Sequence, residues 1–175
     1  MKNATWDDCV AFHGHACGGL TIGWKAALYA IELLGLDFSA DEEVCCISEN
    51  DACCVDAIQV MLGCSAGKGN LMFHLTGKMA FSFYERASGK SVRLVLKPRP
   101  EGMTKQESFD YYQHLAPSEM FDVKPVKMPL PEPARNFRDC VCAECGESFA
   151  ESYARLVDGK TLCRDCCKRY SRYDV

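Results

Sequence analysis

The sequence predicts an α+β protein: N-terminal helices packed on an antiparallel sheet, followed by a small cysteine-rich finger. Apolar residues first recur at helical spacing and switch to strict alternation after "AGKGN". Five prolines, Pro117, Pro125, Pro129, Pro131 and Pro133, then interrupt the pattern. Two Cys-x2-Cys pairs follow, and together these features place a boundary between a cored domain and a finger.

The 175 residues suffice for one cored domain and a small second one. No apolar run approaches the roughly 20 residues of a membrane helix, and "MKNATWDDCVAF" lacks a basic stretch leading into an apolar one, so a cytoplasmic protein is expected. A net charge of -4 gives no general attraction to phosphate backbones, which argues against nucleic acid as partner. Thirteen cysteines without a secretory start point to reduced thiols that bind metal rather than to disulfides.

In "GGLTIGWKAALYAIELLG", Leu20, Trp24, Ala27, Leu28, Ile31 and Leu34 fall on one helical face and Gly35 stands at the C-cap. "EEVCCISEN" reads as a buried strand, and "CCVDAIQVMLGCS" as a helix with Val55, Ile58 and Met61 or Leu62 inward. "NLMFHLT", "KMAFSFYE" and "SVRLVLKP" alternate as strands of an antiparallel meander, the last two joined near Ser88-Gly89. "TKQESFDYYQHLAP" is a helix ended by Pro117, so the first domain is expected to span 1–116. The proline-rich stretch 117–136 is expected to be an extended linker, and the finger to occupy 137–175.

In the finger, Cys142-x2-Cys145 and Cys163-x2-Cys166 lie seventeen residues apart. Each two-residue gap lets a tight knuckle aim both sulfurs at one point, so the four thiolates suit one tetrahedral zinc in a treble-clef or ribbon finger. A hairpin turn is expected at Asp158-Gly159, and a short helix on "CRDCCKRYSRYDV" carrying Lys168, Arg169 and Arg172. Cys140 and Cys167 flank the four and could replace a neighbour.

The second constellation is "FHGHACGG". His15 and Cys17 lie two residues apart, a spacing at which a turning segment points both side chains the same way. Cys17 also opens a helix, where free N–H groups favour the thiolate, so it could bind metal or act as a nucleophile with His15 as base. Cys53 and Asp56 share a helix face, Cys54 points elsewhere, and Cys64 opens the next loop. Cys9, Cys45 and Cys46 read as core residues, and His74 and His114 as packed or solvent-facing. "GCSAGKGN" has the wrong glycine spacing for a nucleotide phosphate loop and follows a helix instead of a strand; Lys68 could still sit beside a backbone nest for a small anion.

"FHGHACGGLTIGWKAA", "CCVDAIQVMLGCSAGKGNL", "GKMAFSFYERASGKSVRLVLK" and the four-cysteine finger together resemble the FmdE family, named after a component of formylmethanofuran dehydrogenase. The chain departs from that pattern at Gly18, where the family has proline. The resemblance implies a commonly dimeric α+β domain with a metal-capable cleft drawing on His13, His15, Cys17, Cys53, Asp56 and Cys64. It also selects Cys53 over Cys54. His13 is read as packing behind the ligands. Mixed thiolate and imidazole donors suit zinc, nickel or iron as a second metal.

Two functions are therefore expected to compete. One is a metal-binding accessory or regulatory protein, associated with a molybdenum or tungsten enzyme or with metal handling, its finger docking a protein partner. The other is a small metal- or thiol-dependent enzyme built on His15 and Cys17.

Overall fold

Helical structure begins before the stretch whose spacing announces it. Thr5 Oγ1 accepts the Asp8 N–H at 3.3 Å while the Asp8 carboxylate accepts the Thr5 N–H at 2.7 Å, a reciprocal cap that starts α1 (Trp6–His13). The computed structural model describes residues 4–168 and Arg172, and the chain falls into two units, 1–134 and 135–175.

α2 (Gly18–Leu34) runs from Cys17 to a left-handed Gly35. Its inward face differs from the expected stripe: Leu20, Ala26, Ala27 and Ala30 are buried, whereas Trp24, Leu28, Ile31 and Leu34 are half-buried on the flanks. The cause is Gly23, where a Cβ would lie 1.9 Å from the Cys54 carbonyl oxygen. α2 meets its neighbour through small residues so that the backbones touch.

That neighbour is α3 (Cys54–Leu62), which follows β1 (Val44–Ser48) and leads to β2 (Leu71–Phe73). β1 and β2 pair in parallel, Cys46 opposite Leu71, so β1-α3-β2 is a crossover unit. The expected meander is therefore only partial. β1 lies between β2 and β3 (Ala80–Glu85), and the sheet order is β2-β1-β3-β4-β5, antiparallel apart from the β1–β2 pair. In β4 (Ser91–Leu96), Val92 and Leu94 stand opposite Phe83 and Phe81 and meet Leu20, Ile58 and Leu62 of the helices in the main core.

The first unit extends past the boundary expected at 116. α4 (Lys105–His114), capped by Thr104, is followed by α5 (Pro117–Met120) and β5 (Phe121–Lys124), which pairs with β4. Proline is compatible with a first helical position, so Pro117 opens a turn of helix as well as ending one. Beyond β5, Val126 and Met128 cover Cys45, Ile47 and Tyr84 on the sheet face opposite the helices. Tyr84 Oη donates to the Met128 carbonyl at 2.8 Å and Arg86 Nη1 to that of Pro131 at 2.7 Å. The proline-rich stretch is thus a strap on the sheet over most of the span expected to be a linker. Its carbonyls accept side-chain hydrogen bonds, for which proline is as able as any residue.

Among its described residues the second unit has two hairpins, β6 (Asp139–Val141) with β7 (Ser148–Ala150) and β8 (Arg155–Val157) with β9 (Lys160–Leu162), joined by a 3-10 turn at Glu151–Tyr153. Asp158 (φ 48°) and Gly159 (φ 76°) form the tight turn between β8 and β9. Residues 163–168 form a turn where the sequence suggests the start of a helix; Arg169 lies outside the described residues. No helix among the described residues is long and apolar enough to cross a membrane.

Candidate metal centre

Three helix ends meet in the first unit. His13 is the last residue of α1, Cys17 the N-cap of α2 and Cys53 the N-cap of α3. One ligand atom from each lies within 4.8 Å of the other two, and Cys17 Sγ is 3.9 Å from His13 Nε2. The approach depends on glycine: a Cβ at Gly19 would stand 3.1 Å from Cys53 Cβ and 3.8 Å from Cys17 Sγ. Gly14, in the left-handed region at φ 90°, turns the chain from α1 toward Cys17.

Asp56 Oδ2 lies 2.7 Å from His13 Nδ1, and its other oxygen accepts Gln59 Nε2–H at 3.2 Å. The carboxylate draws the ring proton to Nδ1 and leaves the Nε2 lone pair facing the sulfurs. Cys17 Sγ accepts the Leu20 N–H at 3.3 Å. Burial pushes the Cys53 thiol up, and the adjacent Cys17 sulfur adds to the shift. Two sulfurs this close become thiolates together only when a cation offsets their repulsion. One imidazole nitrogen and two sulfurs form a borderline-soft donor set that fits zinc or a related transition metal, with three protein ligands and room for a fourth donor.

The other candidates fall elsewhere. His15 stacks on His13, ring centroids 4.5 Å apart, and lines a cleft without joining the three ligand atoms. Asp56 acts through His13. Cys64 is buried beyond the far end of α3, its Sγ 3.5 Å from the Val44 carbonyl, and burial pushes its thiol up to about 12. Cys54 donates to Asn50 Oδ1 at 3.0 Å and is also pushed up to about 12 by burial. Lys68 Nζ is held by the carbonyls of Ser39 and Ala40, which occupies the charge a nest for an anion would need.

Cys17 and Cys53 open onto a cleft of about 1140 Å³ between the start of α2, the end of β4 and α4. His13, Cys53 and Asp56 border a second, smaller cleft of about 410 Å³. Cys53 thus borders both clefts, Cys17 the larger one and His13 the smaller.

In the second unit, the sulfurs of Cys142, Cys145, Cys163 and Cys166 all lie within 4.8 Å of one another. A tetrahedral zinc with Zn–S near 2.3 Å requires sulfurs about 3.8 Å apart, which this cluster can meet. The Cys142 thiol is pulled down to about 6, first by the Cys145 amide and next by that of Cys163, whose nitrogen lies 3.4 Å away. Gly146, at φ 77°, closes the first knuckle.

Residues 12–124 match the family model described as "FmdE, Molybdenum formylmethanofuran dehydrogenase operon". The chain belongs to this family. Residues 135–172 match the prokaryotic dksA/traR C4-type zinc finger. A crystal structure of an FmdE-like protein of the tungsten formylmethanofuran dehydrogenase type, from Syntrophus aciditrophicus, is similar, with a TM-score of 0.70, 25% identity and coverage of 94% of this chain and 92% of that one. A probable S-adenosyl-L-methionine-binding protein of Archaeoglobus fulgidus is 27% identical over 91% of this chain; the chain spans 51% of that relative's length.

The FmdE match contains His13, Cys17, Cys53 and Asp56, and it extends to Lys124, the last residue of β5. FmdE membership and the C4 finger together support a metal-binding role for the chain. Sequence reasoning ranks His13 behind His15. The signal that reverses the order is Thr5-x-x-Asp8 followed by Gly14, which marks α1 and places His13 at its end.

Proposed function

We propose that the protein is a metal-binding accessory protein with two unlike metal centres: a reactive one at His13, Cys17 and Cys53, and a structural zinc held by Cys142, Cys145, Cys163 and Cys166. The observation that carries the first centre is the convergence of His13 Nε2 with two sulfurs while Asp56 holds Nδ1. FmdE membership supports association with a molybdenum or tungsten enzyme, and the finger offers a docking module for it. A cytoplasmic homodimer, implied by the resemblance, completes this reading, and light scattering on purified protein tests the dimer.

Metal analysis of purified protein tests the two centres. The expected result is two metal equivalents per chain, falling to one in Cys17→Ser and to one in Cys142→Ser. A single equivalent that Cys17→Ser leaves in place would end the N-terminal assignment.

A second reading is a thiol enzyme, because Asp56, His13 and Cys17 form a carboxylate–imidazole–thiol chain. Cys53 favours metal, since a nucleophile has no use for a second sulfur in contact with it. Alkylation of Cys17 separates the two readings: metal binding predicts protection by zinc and release by chelator, whereas an activated nucleophile reacts at the same rate in both.

A further inference from the structure

The cleft in front of Cys17 and Cys53 has a charge pattern opposite to that of the chain. The protein carries 24 acidic and 20 basic side chains, yet the residues lining this cleft include Lys97, Arg99 and Lys105 and no carboxylate. Lys97 Nζ is engaged by the Ser118 carbonyl at 3.2 Å. Arg99 and Lys105 form no ion pair among the described residues and stand exposed at the rim. Of the carboxylates close to them in sequence, Glu107 is turned back onto the Thr104 N–H at 2.8 Å, and neither it nor Glu101 lines the cleft.

The wall between that rim and the sulfurs is apolar and partly aromatic. Met79, Met103, Phe109 and Tyr112 line it, and the Phe109 ring is backed by Trp6 at 6.4 Å between centroids. Unpaired cations left at the mouth of an apolar cleft cost little in water and reward an anion that brings its own apolar surface. The volume of about 1140 Å³ exceeds what a single small ion would use.

We propose that this cleft binds an organic anion with a flat, apolar body: its acidic group at Arg99 and Lys105, its body against Phe109, Tyr112 and the two methionines, and its far end toward Cys17 and Cys53. The charge and shape of the site stand on this chain's cleft alone. Only the placement of the far end rests on the proposed N-terminal metal.

The probe is 2-naphthoate, with neutral 2-naphthamide as its near-isosteric control, titrated calorimetrically into the full chain. Naphthoate is expected to bind at least about tenfold more tightly than the amide, and salt should weaken only the anion. Arg99→Gln and Lys105→Gln, both at exposed positions, should each weaken naphthoate about three- to tenfold and leave the amide unchanged. Equal affinities for acid and amide, no binding of either, or an acid affinity indifferent to both variants would overturn the proposal. Cobalt(II) loading keeps the two readings apart. If cobalt enters the His13/Cys17/Cys53 centre and naphthoate fails to bind, the anion site falls and the metal centre stands. If naphthoate binds with Arg99 dependence and Cys17→Ser retains full metal content, the anion site stands and the metal centre falls.

Discussion

The two cysteine centres of this chain place ligands by opposite means. In the finger, four sulfurs come from two short knuckles, one inside the β6–β7 hairpin and one directly after β9, and Cys142 is the only one of the four that is fully buried. At the N-terminal centre the three donors belong to three helices and span residues 13 to 53, and the helices are packed together by a core of their own. A small unit with little core depends on its metal for folding, whereas side chains at the junction of packed helices are brought together by the core whether or not a metal binds them.

Metal removal should therefore produce the largest contrast. Apparent zinc affinities of four-cysteine modules correspond to about 10–16 kcal/mol, more than a unit of this size gains otherwise. Strong chelation, or Cys142→Ser, should collapse the amide NMR dispersion of residues 135–168 and leave that of residues 4–134 in place. Equal loss in both units would show that the N-terminal centre is structural as well.

Next in size is Gly23→Ala. The added methyl would sit 1.9 Å from the Cys54 carbonyl, so α2 and α3 must part, at a cost of about 3 kcal/mol or more. Urea unfolding should show that loss in the first unit only. Metal content should also fall from two equivalents to one, because Cys17 and Cys53 ride on the helices that separate.

Asp56→Asn acts more gently. The amide still fills the space and can accept from Nδ1–H, but it no longer carries the charge that strengthens the imidazole as a ligand. Loss of such a partner typically lowers metal affinity about 10- to 100-fold. Competition with a chromophoric chelator should show that drop at one of the two sites, with the unfolding midpoint of the metal-free protein little changed.

The same contrast governs what the sequence reveals. The finger is legible because its geometry is written as spacing, Cys-x2-Cys twice, with Asp158-Gly159 turning one hairpin. The N-terminal centre is only half legible. Cys17 and Cys53 can be found as thiols at helix starts, but choosing His13 over His15 requires knowing where α1 ends, and α1 is too short for a clear periodicity. Cys64 illustrates a constraint that sequence could have supplied. It lies eleven positions beyond Cys53 across a helix rising about 1.5 Å per residue, so the two are roughly 15 Å apart and cannot share an ion. The strap, by contrast, is hidden because proline content reports what a segment cannot donate, and this segment is held by what it accepts.

Rising pH should separate the two units in the smallest but most direct way. Cys54 and Cys64 have thiols pushed up to about 12 by burial, against an unfolded value near 8.5. A raised thiol favours the protonated folded state, so its contribution is complete below about pH 8.5 and is lost progressively as the pH climbs toward 12. The loss should be about 1 kcal/mol per thiol by pH 9.5, visible as a falling urea midpoint of the first unit. Cys54→Ala and Cys64→Ala would each lessen that slope, even where they lower the midpoint itself, and Cys9 and Cys46, whose thiols burial also raises, would carry the rest. The finger should behave in the opposite sense, since its ligands must shed protons to hold metal and alkaline conditions favour that state. If the first unit keeps its midpoint from pH 7 to 9.5, the buried thiols are not the titrating groups, and the contrast between a core that excludes thiolates and a finger that gathers them loses its thermodynamic basis.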